Sequence, residues 1–144
     1  MESHITACVQ AVAAAMKTPN YKIIVFMPTA RQTGHMAQLF MAMSIPCLEI
    51  HSRKSQGHRN KVSDQFKNGT NLIMFSSDVS ARGMDYPDVS FILQVGLPSS
   101  REQYLHRLGR TARAGRRGVG VILLCDFEQF FLRKLSDLPL QKLD

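Results

Sequence analysis

The fold turns on the stretch Lys22-Ile23-Ile24-Val25-Phe26-Met27-Pro28-Thr29. Its apolar run is short and rich in β-branched residues, and it is closed by a proline. Such a run reads as a strand buried on both faces. Thr29 then offers a hydroxyl that can cap a helix. Met36, Leu39, Phe40 and Met43 recur at steps of three and four and mark that helix's inner face, and Pro46 follows its end. Parallel strands need a long crossover between them, usually helical. A buried strand feeding a helix is therefore the repeating unit of a parallel sheet.

The same unit recurs on either side of this stretch. Ile5, Cys8, Val9, Val12 and Met16 predict an amphipathic helix that stops at Pro19-Asn20. Cys47–Ile50 is a second short strand. Ser55 can cap a third helix, which turns Val62 and Phe66 inward and ends at Asn68-Gly69. Asn71–Phe75 and Val89–Leu93 are the next two strands. A helix follows from Ser99 to about Leu108, then a strand from Gly118 to Leu124 and a last helix from Phe127 to Leu138. Strands alternating with helices predict an α/β fold, a parallel sheet with helices on both faces, in a single domain.

Composition agrees. The chain has 144 residues, 44% hydrophobic and 20% charged, which suits one globular domain with a real core. No apolar run approaches the roughly 20 residues that span a bilayer, so no membrane partner is expected. No basic segment followed by an apolar run opens the chain, so no secretory leader is expected. The three cysteines, Cys8, Cys47 and Cys125, are far apart and lack metal-ligand spacing. They read as buried thiols of a reducing compartment, no metal site is expected, and the eight methionines read as core filler.

The formal charge is +7, which invites a polyanion. The positive charge is clustered. His51 to Lys61 holds Arg53, Lys54, Arg59 and Lys61 with no acid, and Arg101 to Arg117 holds six arginines against Glu102 alone.

In parallel sheets ligands gather beyond the carboxyl ends of the strands, so the segments after each strand carry the chemistry. Thr29 can hold a phosphate at a helix start, though on its own a capping threonine is the ordinary reading. Gln56 and Arg59 share one face of a helix start, with Lys54 nearby, and that face suits a nucleic-acid backbone or simply solvent. Ser76-Ser77-Asp78-Val79-Ser80-Ala81-Arg82-Gly83-Met84-Asp85 combines hydroxyls, acids and a glycine that lets a ligand approach the backbone. Asp85 can accept a hydrogen bond from a ribose hydroxyl, although on these residues alone a polar turn with a capping Asp is the ordinary reading. In Tyr104-Leu105-His106-Arg107-Leu108-Gly109-Arg110-Thr111-Ala112-Arg113-Ala114-Gly115 arginines recur every three residues, broken by glycines. Arg110 and Arg113 read as charges presented by a loop or helix end. Their guanidinium forks match phosphate oxygens and suit a finger role toward a terminal phosphate.

Taken together, Ile24–Thr29, Gln56–Arg59, Ser77–Asp85 and His106–Arg113 resemble motifs IV, IVa, V and VI of DEAD-box RNA helicases, in order and at that family's intervals. The resemblance covers nearly the whole chain. It implies the recA-like fold and the second, C-terminal domain of a helicase motor, with residues 1–144 an excised part of a longer protein. Gly83 and Asp85 would touch the phosphate and ribose of ATP. Arg110 and Arg113 would be the catalytic fingers on the γ-phosphate, and His106 and Arg107 would couple the ATP site to the partner domain. Thr29, Arg59 and Ser77 would hold RNA backbone with Gln56 in support, independently of base sequence.

The chain contains no Gly-x-x-x-x-Gly-Lys-Thr loop and no Asp-Glu-Ala-Asp stretch. ATP and Mg2+ would therefore bind only together with an N-terminal recA-like domain, and this domain alone would be inactive and monomeric. Two departures stand out. Ser77 replaces a usual threonine and keeps the hydroxyl. Ser52 replaces a usual glycine after His51, so that turn has to form without one. Two other readings use the same residues: an RNA-binding or docking module without a motor, and half of a DNA helicase. Arg110 and Arg113 argue against the first, and the His106-initiated motif against the second. An intracellular setting is expected, with mitochondrion, nucleus and cytoplasm all open.

Overall fold

The computed structural model describes residues 2–77, 89–96, 98, 100–108, 119–124 and 126–137. The elements are α1 (Glu2–Ala15), β1 (Lys22–Phe26), α2 (Ala30–Ala42), β2 (Leu48–Ile50), α3 (Gln56–Asn68), β3 (Leu72–Ser76), β4 (Phe91–Val95), α4 (Arg101–Leu108), β5 (Val119–Leu123) and a final 3-10 helix, Asp126–Leu135. The five strands form one sheet in the order β2-β3-β1-β4-β5, and every pairing is parallel.

The apolar run of β1 is continuous because it is the central strand and both its faces are covered. Successive side chains point to opposite faces. Ile23 and Val25 join Ile73, Phe75 and Leu93 against Cys8 and Val12 of α1 and Met36, Ala37 and Phe40 of α2. Ile24 and Phe26 join Ile50, Met74 and Ile92 against Val62 and Phe66 of α3. Phe40 meets Phe75 edge-on at 4.8 Å between ring centroids, an arrangement that adds to simple burial. Tyr104 of α4 packs on Phe131 and Leu135 of the 3-10 helix, and this makes a small third cluster.

Several expected boundaries move for identifiable reasons. β4 begins at Phe91 rather than Val89 and runs on to Val95. Ser90, just before β4, still bonds Lys22 and Val119 through its backbone, and its hydroxyl also ties the base of β1: it accepts from the Lys22 N–H and donates to the Lys22 carbonyl. Gln94, beyond the expected end at Leu93, is buried inside β4, and its amide donates to the Tyr104 carbonyl at 3.4 Å. β3 starts one residue late because Asn71 adopts a left-handed φ of 56°. Cys47 lies outside β2, with its thiol donating to the Ala37 carbonyl. The last helix is 3-10 in form, an uncommon length for that type.

The methionines are not all core filler, since Met41 is 62% exposed and Met43 lies outside the inner face of α2. Thr33 and Ala37 take up that face instead. Burial pushes the Cys8 thiol up to about 12, and burial with the nearby Glu49 carboxylate pushes Cys47 up to about 11. Cys125 lies outside the described residues. No described helix is long and apolar enough to cross a membrane.

Candidate nucleic-acid interface

The order β2-β3-β1 puts the carboxyl ends of three strands side by side, and Thr29, Gln56, Arg59 and Ser77 follow those three ends. The backbone ties the ends together beyond the ladder. The Met27 N–H donates to the Ser76 carbonyl at 2.8 Å, and the Ser77 N–H donates to the Ile50 carbonyl at 3.1 Å.

Thr29 caps α2. Its hydroxyl oxygen accepts from the Gln32 N–H and its hydroxyl proton goes to the Gln32 side-chain oxygen. The loop before it is shaped from across the sheet. Gly96, at the end of β4, has φ +84°, and a Cβ there would lie 2.9 Å from the Pro28 ring. Only glycine permits both that backbone and that approach. Sequence reading missed Gly96, and its position directly after a buried strand was the available signal.

Ser77 is 7% exposed, and its hydroxyl oxygen has no hydrogen-bond partner among the described residues. Arg59 is half-buried in the first turn of α3, its N–H held by the Ser55 carbonyl, and its Nε is likewise buried without a partner. Buried polar atoms are nearly always satisfied in folded proteins. Two such exceptions at one sheet edge, a hydroxyl and a guanidinium N–H, make a donor set suited to an anionic oxygen ligand. Gln56 is exposed and donates along its own helix to Asn60 Oδ1 at 2.9 Å, so it braces α3.

The turn between β2 and α3 forms without glycine. The Lys54 N–H donates to the His51 carbonyl, and Ser52 is not among the residues with positive φ. A part-buried network stiffens it. The His51 Nδ1 accepts from the Arg53 N–H, which leaves the Nε2 proton for the Glu49 carboxylate at 3.2 Å. Lys54 pairs with the other Glu49 oxygen at 3.3 Å, so its charge goes to that bridge rather than to the Gln56–Arg59 face. His58 reaches the Glu49 carbonyl at 3.3 Å.

The remaining candidates divide. His106 and Arg107 fall in the last turn of α4. Gly83, Asp85, Arg110 and Arg113 lie outside the described residues. Among the described residues no group of three His, Cys, Asp or Glu is arranged to hold a metal.

The fold and the edge define a class: a parallel-sheet α/β domain whose strand ends offer unpartnered donors to a polyanion. The family follows from comparison. The model of the helicase conserved C-terminal domain matches residues 3–115, and the chain belongs to that family, among the DEAD-box proteins. The probable DEAD-box ATP-dependent RNA helicase 48 of Arabidopsis thaliana is 55% identical over 124 residues, 86% of this chain. The chain spans only 16% of that relative's length. Domain 2 of Mss116p, solved bound to an RNA duplex, superposes with a TM-score of 0.85 at 37% identity over 94% of this chain and 55% of that one. Mss116p bound to single-stranded RNA and AMP-PNP gives 0.85 at 35% identity, over 94% and 28%.

Proposed function

We propose that this chain is the C-terminal half of the motor of an ATP-dependent DEAD-box RNA helicase. Thr29, Arg59 and Ser77 bind RNA through its backbone, and Gln56 braces the helix that carries Arg59. The observation that carries the RNA half is the pair of buried donors without partners, Ser77 Oγ and Arg59 Nε, at one sheet edge. Each is a donor that a phosphate oxygen of the strand would satisfy, and a charge-assisted bond is stronger than a neutral one. Contacts of this kind position the strand without reading its bases.

The nucleotide half rests on the motif resemblance and on the solved relative that holds AMP-PNP. In this reading Gly83 and Asp85 contact the phosphate and ribose of ATP. Arg110 and Arg113 stabilise charge developing on the γ-phosphate, and His106 and Arg107 pass the state of that site to an N-terminal recA-like domain. ATP with Mg2+ supplies the free energy of closure and release, and is held only when that second domain is present. Residues 1–144 form one domain of the larger protein, monomeric and intracellular, where thiols such as Cys8 and Cys47 stay reduced.

The test is a titration with labelled single-stranded RNA at several salt concentrations. Arg59→Ala should weaken binding and lower the salt slope by about 0.7, one single-strand phosphate contact. Arg110→Ala should leave RNA binding unchanged. Equal losses in the two variants would make the arginine cluster an RNA patch and overturn the division between RNA and nucleotide faces. Equal affinity for DNA and RNA strands would favour the DNA-helicase reading.

A further inference from the structure

A basic concavity lies between the start of α2, which follows Thr29, and the turn that leads into Gln56. It is an open cleft of about 300 Å³ on the α2 side of the sheet. Arg31, His35 and Gln38, spaced along one stripe of α2, form one wall, and Arg53 and Lys54 of the β2–α3 turn form the other, with Glu49 between them.

The charges in the cleft are not equivalent. Both Glu49 oxygens are engaged, one by Lys54 and the other by the His51 N–H. That network spends the carboxylate within the protein. Arg31 and Arg53 are exposed and form no ion pair among the described residues. The cleft therefore presents two free guanidinium groups over a neutralised floor. Guanidinium forks match phosphate oxygens bidentately.

Gly34 keeps the cleft open. It sits inside α2, where glycine is less favourable than alanine. A Cβ there would make only ordinary contact, 3.5 Å from Glu49 Oε2 and 3.9 Å from His51 Nε2. Backbone geometry thus does not demand glycine. A longer side chain at this point would enter the space between the arginines.

Position in the chain gives the ligand. Arg31 is two residues beyond Thr29, and Arg53 and Lys54 lead directly into Ser55 and Gln56. The walls of the cleft thus lie next in sequence to segments assigned to RNA backbone. Apart from Ala30 its lining is polar or glycine, whereas a docked protein segment would also seek apolar contacts at the centre of its interface.

We infer that the cleft between α2 and the β2–α3 turn is an additional phosphate subsite for single-stranded RNA, with Arg31 and Arg53 holding a phosphate of the strand beyond the segment gripped by Thr29, Arg59 and Ser77. The inference rests on the RNA-binding reading above and extends the length of strand this domain holds.

A ladder of labelled oligouridylates of about four to twelve nucleotides, titrated at several salt concentrations, tests both. On long oligomers Arg31→Gln/Arg53→Gln should lower the salt slope by about 1.4, roughly a 25-fold loss of affinity at 0.1 M salt if the counterion term vanishes at 1 M. The shortest oligomers should bind as before. Gly34→Gln, which fills the cleft without removing charge, should reproduce the loss on long oligomers. Circular dichroism and thermal melting check that each variant is folded.

Unchanged long-oligomer binding in the double variant, with Arg59→Ala still weakening it, would overturn the subsite and leave the RNA reading standing. Equal losses on short and long oligomers would also overturn it, since the arginines would then act only as a diffuse field. If the unmodified chain bound no RNA, the reading and the subsite would fall together. If the variants lost polyglutamate binding and kept RNA binding, the cleft would belong to an acidic protein segment.

Discussion

Replacing Ser77 by alanine should make the free protein more stable and a poorer RNA binder. The Ser77 backbone is held by its N–H bond to Ile50, which the substitution leaves in place. Only the hydroxyl is lost, and it is buried without a partner among the described residues. A buried polar group left unsatisfied costs about 1–3 kcal/mol. The small void left by the missing oxygen offsets part of that relief, so the net gain should be about 1 kcal/mol. With an unfolding entropy of roughly 2.1 cal/mol/K per residue, a chain of this size should melt about 3 °C higher. RNA affinity should move the other way. A hydrogen bond to a charged group contributes about 1.5–3 kcal/mol, so binding should fall roughly ten- to a hundredfold. Scanning calorimetry gives the first number and fluorescence anisotropy the second. A lower melting temperature would mean that the hydroxyl already has a partner in the folded chain. Unchanged RNA affinity would mean that it is not aimed at the strand. Either result refutes the reasoning that joins burial to function here.

Other perturbations probe the frame. Thr29→Ala removes the α2 cap and should cost about 1 kcal/mol in urea unfolding, whereas Thr29→Ser should keep both cap and RNA contact. Phe66→Ala empties a fully buried site in the α3 cluster and should cost about 3–5 kcal/mol. Gly96→Ala should cost about 1–2 kcal/mol from the left-handed backbone alone, and contact with Pro28 should also weaken RNA binding through the Thr29 loop. Cys8, pushed up to about 12, should resist iodoacetamide at pH 8 until the chain unfolds, as read by site-resolved mass spectrometry. The folded state keeps this proton where the unfolded chain has lost it. Its stabilising contribution should therefore be whole below pH 9.0 and decline as pH rises toward 12.

What was legible locally was legible for local reasons. β1 announced itself because a central parallel strand is apolar throughout. The Thr29 and Ser55 caps were visible because a hydroxyl before an apolar-periodic stretch has few other uses. The errors have a common cause. The fourth strand was ended at Leu93, one residue before Gln94, whose partner, the Tyr104 carbonyl, comes from another element. Met43 was read as core because its spacing fits the helix, but the helix end turns it outward. Lys54 was grouped with the Gln56–Arg59 face because they are close in sequence. Glu49, on the preceding strand, claims it instead.

By itself, the sequence determined the alternation of strand and helix, the parallel sheet and the motif set that marks the helicase family. These depend on periodicity, caps and short ordered patterns, all written within a few residues of each other. Only the tertiary structure decided that β3 lies between β1 and β2, and so that Thr29, Ser77 and Arg59 follow neighbouring strand ends. It alone showed that Ser77 Oγ and Arg59 Nε are buried without partners, that Glu49 is neutralised by His51 and Lys54, and that Gly34 leaves a cleft between Arg31 and Arg53. The reason is physical. Burial and the pairing of charges depend on which distant segments are brought into contact, and no local pattern encodes the identity of a neighbour across the sheet.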